Sequence, residues 1–158
     1  MRKLSLIIIV LYNITIRANT SLVEIREVLK YVETGYDSTA IGDNGKSFGI
    51  LQIQQVAIDD VNRKYGTHYT HQDAFDVQCA EEIFDLYIKM WVERLELNEN
   101  RPAKPEDIVR IWNGGPRGYK RKSTIKYLER FKKFRYLYNS KKDVPPKHWY
   151  DKLWLVNI

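Results

Sequence analysis

A single cysteine, Cys79, is present among 158 residues. No internal disulfide can form, so any stable fold must rest on a buried apolar core. The length suffices for one domain with such a core and is short for two. An apolar fraction of 44% with 29% charged residues places the chain with globular rather than disordered proteins. A lone cysteine between helical residues reads as packed rather than reactive. His68 and His71 share an i,i+3 spacing but have no Cys or carboxylate array around them. Neither a metal site nor a cofactor is expected.

The apolar pattern is mainly that of helices. Ser21-Leu22-Val23-Glu24 has the form of a capping box. Leu22, Ile25, Val28, Leu29 and Val32 follow at helical spacing, with Glu24, Arg26, Glu27 and Lys30 elsewhere on the cylinder, and the helix ends at Thr34-Gly35. Residues 35–48 are rich in Gly, Asp, Asn, Ser and Thr and read as a loop, with a short hairpin at Asp43-Asn44-Gly45. Helical spacing returns over 50–64 (Ile50, Ile53, Ala57, Ile58, Val61), and a connection spans 66–73. A long helix is predicted over 76–97 and another over 106–112 after Pro105, stopped by Asn113-Gly114-Gly115-Pro116. A basic helix covers about 123–138, and Pro145-Pro146 separates an aromatic tail. The predicted class is mostly α, α+β at most: one domain of about six helices with a small loop or hairpin region.

The first residues have the layout of an export signal. Met1-Arg2-Lys3 is basic, Leu4 to Ile16 is largely apolar, and Arg17 to Ser21 is polar. The apolar stretch is short for a membrane span of about 20 residues. Residues 1–18 are therefore read as a signal peptide or an N-terminal membrane tether, 19–140 as the domain, and 141–158 as a tail packing on it. A first strand or helix of the domain is the plainer alternative for 1–18.

The formal net charge is +6, and the excess is concentrated: 117–142 holds eleven Lys or Arg against one acid, Glu129. A basic face implies an anionic partner, either nucleic acid or the anionic polymers of a bacterial wall, unless it is simply a solvated helix face. The export signal argues against nucleic acid.

Glu33 falls on the last turn of the first helix, beside a Gly-rich loop. A carboxylic acid donates a proton near neutral pH only if its pKa is raised. The partial negative charge of a helix C-terminus acts in that direction, as would desolvation by Val32 or by Tyr36 folding over it. Glutamates near helix ends are nonetheless mostly just solvated.

The residues around Glu33 give it company. Glu33-Thr34, Ala40, Gly45 and then Ser47-Phe48-Gly49-Ile50-Leu51-Gln52 occur in order, followed by Ile111-Trp112-Asn113-Gly114-Gly115-Pro116 and by Thr124-Ile125-Lys126-Tyr127-Leu128. This series resembles the lytic transglycosylases related to goose-type lysozyme. Their pattern is a catalytic Glu with Ser or Thr, an Ala seven positions on, a Gly-rich turn, Gly-Leu-Met-Gln opening a helix, Tyr-Asn-Ala-Gly-Pro, and Thr-x-x-Tyr-Val. The likeness spans about residues 22–136. The chain departs from the pattern in Thr34 for Ser, a Gly-rich loop longer by one residue, Trp112 for Tyr, and Ser123 where an acid often stands.

The resemblance implies a lysozyme-like domain with Glu33 as the catalytic acid. It implies substrate contacts from Ser47, Gly49, Gln52, Asn113 and Tyr127. Gly49 would let the backbone approach a sugar; Gln52 and Asn113 would hold N-acetyl and hydroxyl groups without adding charge; Ser47 and Tyr127 would hydrogen-bond the acid or the sugar. The plainer readings are a helix-surface Gln, a helix-capping Asn, a turn Ser and a core Tyr. The implied reaction is cleavage of the β-1,4 bond between N-acetylmuramic acid and N-acetylglucosamine. Glu33 would act first as acid and then as base, closing a 1,6-anhydro ring. The rival is a hydrolytic lysozyme, which normally needs a second carboxylate. Asp37 and Asp43 are the local candidates, although both lie where Asp is favoured in turns. A noncatalytic wall-binding module is a further alternative. The expected partner is peptidoglycan, acted on by an exported monomer of bacterial or phage origin.

Overall fold

The computed structural model describes residues 22–140. Residues 1–21, which include the segment read as an export signal and the capping-box Ser21, and the tail 141–158 lie outside the described residues. Five α-helices are described: α1 (residues 22–34), α2 (Gln55–Tyr65), α3 (Val77–Glu99), α4 (Pro105–Gly114) and α5 (Ile125–Ser140). Short 3-10 turns occupy His71–Phe75, Gly118–Lys120 and Lys122–Thr124. Between α1 and α2 lies a three-stranded antiparallel sheet of β1 (Ile41–Gly42), β2 (Ser47–Phe48) and β3 (Ile53–Gln54), in that spatial order.

Helix α1 buries Ile25, Val28, Leu29 and Val32, the stripe set by its 3.6-residue period. Its other faces are not simply solvated. Arg26 and Lys30 are also buried, because α3 lies against them with Glu81 and Asp85. Arg26 pairs with Glu81 at 2.9 Å, and Lys30 bridges Glu81 and Glu27. A buried cation without such partners would cost several kcal/mol, so the pairing fixes how α1 and α3 pack. Helix α1 ends at Gly35, whose φ of +65° is a conformation glycine adopts without strain. Thr34 Oγ1 donates a 3.1 Å hydrogen bond to the Ile50 carbonyl, tying the helix end to the turn before β3.

The hairpin expected at Asp43–Gly45 is present. Asp43 and Asn44 both take left-handed φ values, +50° and +54°, as a tight turn between right-twisted strands requires. The registers are Gly42↔Ser47 and Ser47↔Gln54. Side chains along a strand alternate faces, so this row lies on one face and Ile41, Phe48 and Ile53 on the other, where Ile53 enters the core.

The sequence predicted helix from residue 50; the structure differs. Residues 49–52 form a turn, β3 follows, and α2 begins only at Gln55. Ile50, Leu51 and Ile53 are all buried, so a turn and strand satisfy the same apolar residues that helical spacing suggested. Helix α3 starts where predicted: the Asp76 carboxylate accepts the Cys79 N–H at 2.9 Å. Helix α4 starts at Pro105 but runs on through Gly114, so Asn113 sits in its last turn instead of capping it. Helix α5 starts two residues late, after the 3-10 turn in which Thr124 is buried, and contributes Leu128 and Phe131 to the core. Arg135 on α5 reaches Glu24 on α1 at 2.8 Å.

Candidate active site

Helix α1, the sheet and α4 enclose a cleft of about 600 Å³. Glu33 lines it from the last turn of α1, and the sheet row Gly42, Ser47 and Gln54 lines it from the opposite side together with Asp43. Trp112, Asn113 and the Gly114-Gly115-Pro116 segment supply the α4 side, and Arg121 lies beyond them.

Burial governs the chemistry of Glu33. Loss of solvent raises its pKa from 4.5 to about 7. Opposing this, the Tyr127 hydroxyl donates a short hydrogen bond to Glu33 Oε1, the Arg130 cation lies nearby, and the Trp112 indole N–H also donates. The negative charge of Asp43 adds to the rise. Desolvation wins, and a carboxyl near 7 is poised to give and take protons at neutral pH. The groups covering Glu33 are not those foreseen from its chain neighbours. Tyr36 folds back along α1, its hydroxyl donating to the Glu27 carbonyl at 3.1 Å. Tyr127 and Trp112, from α5 and α4, take that place. Trp112 is held edge-on by Phe84 at 4.8 Å and Tyr87 at 5.8 Å.

Of the two other carboxylates, only one reaches the cleft. Asp37 is exposed and accepts the Thr39 N–H and hydroxyl at 2.8 and 2.7 Å, a turn contact that lowers its pKa. Asp43 lines the cleft with Glu33. Its Oδ2 accepts hydrogen bonds from Ser47 Oγ at 2.5 Å and Gln54 Nε2 at 3.1 Å, which orient the carboxylate. Ser47 thus stands at the site, buried, but bonded to Asp43.

The remaining expected contacts divide. Asn113 is exposed at the cleft wall with its amide directed to no partner among the described residues. Tyr127 stands behind Glu33 as its hydrogen-bond donor, and the proximity of Glu33 and its own burial hold its hydroxyl well above the usual tyrosine range. Gln52 does not open a helix: it has φ +51°, and its Nε2 donates to the Gly49 and Ala40 carbonyls at 3.0 and 3.3 Å. It braces the loop while lining the cleft. Gly49 has φ +73°, and a Cβ there would lie 1.7 Å from the Ala74 carbonyl oxygen. The close backbone approach that requires glycine at this position is to the 3-10 turn. Trp112, Gln54 and Arg121 were not foreseen as site residues. Trp112 was visible as a departure from the family motif, while Gln54 follows only from the strand register.

The fold is lysozyme-like. No family model matches the chain. Among solved structures, an inhibitor-bound lysozyme from Meretrix lusoria matches with a TM-score of 0.59 and 28% identity, over 70% of this chain and 87% of that one. The same lysozyme in complex with Aeromonas hydrophila PliI gives a TM-score of 0.55. A curated lysozyme from Magallana gigas is 34% identical over 84 residues, 53% of this chain; the match spans 57% of that protein's length. These are bivalve lysozymes of the invertebrate type, so the comparisons support the lysozyme fold but not the lytic transglycosylase or goose-type likeness drawn from the motifs.

Proposed function

We propose that the chain is a hydrolytic lysozyme, a glycosidase that cleaves the β-1,4 bond between N-acetylmuramic acid and N-acetylglucosamine in peptidoglycan. The observation that carries this reading is the pairing of Glu33, with its pKa near 7, and Asp43 in one cleft. Two carboxylates of unlike environment are what glycoside hydrolysis by water requires. The likeness to lysozymes supports the same class.

In the proposed reaction, protonated Glu33 donates to the glycosidic oxygen as the bond breaks and positive charge develops at the anomeric carbon. Tyr127 and Trp112 hold the Glu33 carboxyl toward the cleft in both protonation states. Asp43, oriented by Ser47 and Gln54, stabilises that charge and either attacks the anomeric carbon or takes a proton from the attacking water. On the first route water cleaves the ester to Asp43, its hydroxyl going to the anomeric carbon and its proton to Glu33. On the second Asp43 releases the water's proton to solvent and Glu33 regains one from solvent. Asn113 offers an amide to sugar N-acetyl or hydroxyl groups. Such a substrate lies outside the bacterial membrane, so we infer that the protein acts after export, consistent with the signal-like residues 1–18.

Digestion of purified peptidoglycan with mass spectrometry of the products tests the proposal. Reducing-end muropeptides are expected. Products lighter by one water would show 1,6-anhydro ends and overturn hydrolysis in favour of transglycosylation, the reaction in which Glu33 acts without Asp43.

A further inference from the structure

The cleft lining carries a cation, Arg121, as well as the Glu33 and Asp43 carboxyls. Between 117 and 126 the chain carries five cations, Arg117, Lys120, Arg121, Lys122 and Lys126, and no acid. Lys120 pairs with Glu99 at 2.6 Å. No ion pair among the described residues uses Arg121, the one of these five that lines the cleft.

Its backbone is nevertheless firmly placed. The Arg121 carbonyl accepts hydrogen bonds from Arg110 Nη2 at 2.9 Å and Thr124 Oγ1 at 2.8 Å, and its N–H donates to the Gly118 carbonyl at 3.0 Å. The Arg121 side chain, exposed, therefore extends from a fixed backbone into the cleft lining. The planar fork of N–H donors of a guanidinium matches a carboxylate. Neutral sugars give it no charge to recognise.

We propose that Arg121 forms a carboxylate-binding subsite at the α4 end of the cleft, selecting glycan strands that bear acidic substituents over neutral ones. The proposal rests on the glycosidase reading above and specifies its substrate preference. Two carboxylates of peptidoglycan share this chemistry: the free lactyl group of a muramyl sugar without peptide, and the acids of the peptide where one is attached through that group.

Binding can be separated from cleavage by titrating the full-length E33Q protein calorimetrically with three probes. These are the neutral N-acetylglucosamine hexamer, glycan strands stripped of peptide, and strands with peptide retained. The strands are expected to bind more tightly than the hexamer. R121A in the E33Q background should cut that preference about threefold to fivefold, the effect of one partly screened charge pair, while R121K, which keeps the charge but not the fork, restores only part of it. Rising salt should erode the preference as well. A loss confined to stripped strands assigns the free lactyl carboxylate; a loss confined to peptide-bearing strands assigns the peptide acids; a loss with both shows that the subsite accepts either. A preference unchanged by R121A, or equal weakening toward all three probes, would overturn the subsite and leave the glycosidase reading intact. Preserved preference with no cleavage by the unmutated protein would overturn the glycosidase reading alone. Absence of binding to all three would overturn both.

Discussion

Replacing Glu33 with Gln should remove activity and, at neutral pH, stabilise the fold. The carboxyl titrates near 7 in the folded protein against 4.5 without its surroundings. A carboxyl whose pKa is raised by folding costs nothing while protonated in both states, below about 4.5. Above that pH the unfolded chain ionises first, and stability falls by about 1.4 kcal/mol per pH unit until the folded carboxyl ionises too, near 7. The accumulated penalty is at most about 3 kcal/mol. Gln keeps the shape and an oxygen that accepts from Tyr127 and Trp112, but never carries the charge. Its advantage over Glu should therefore be close to zero at pH 4 and reach its full value above pH 7. For a chain of this size, about 2–4 °C in Tm per kcal/mol converts this to a gain of roughly 6–12 °C. Thermal melts followed by circular dichroism, for both proteins from pH 4 to 8, measure it directly. A Tm difference that stays constant across that range would refute the account of Glu33 as a carboxyl destabilised by burial.

Three further substitutions probe the site and its support. Tyr127→Phe deletes a hydrogen bond that favours ionised Glu33, so the alkaline limb of the pH–activity profile should move up by about one pH unit; a downward move would contradict the assignment. Asp43→Asn removes a negative charge that raises the Glu33 pKa, so the same limb should move down while kcat falls at least about a hundredfold, both read from initial-rate kinetics. Gly49→Ala should lower stability by about 2–4 kcal/mol in chemical denaturation, because its Cβ would collide with the Ala74 carbonyl at a left-handed φ.

What the sequence disclosed depended on how local the cause was. Helix α1, its end at Thr34-Gly35 and the place of Glu33 on its last turn follow from apolar period and a glycine stop, all within a dozen residues. The Asp43-Asn44-Gly45 turn is equally local. Strand β3 was hidden because Ile50, Ile53, Ala57 and Ile58 match helical spacing as well as they match a turn, a strand and a helix start. Asp43 was read as a turn residue, and it is one; that the same turn delivers its carboxylate to the cleft is a tertiary fact. Tyr127 could be placed near Glu33 only through a family resemblance, since 94 residues separate them. That resemblance named Glu33 and Tyr127 together, and the structure joins them by a hydrogen bond, yet it pointed toward transglycosylases, whereas the matched proteins are bivalve lysozymes.

The cleft has one stiff wall and one compliant wall. Glu33 is carried by a helix whose apolar stripe is fully enclosed and whose cations are locked onto α3. Asp43 is carried at the tip of a ladder with strands of two residues each, steadied by Ser47 and Gln54 side chains. Segments with few backbone pairs open at lower free energy than packed helices. Warming or mild denaturant should therefore separate the two carboxylates while the helical body still stands. The proposed activity should accordingly be lost before the fold on warming, and should return on cooling without the chain having to refold.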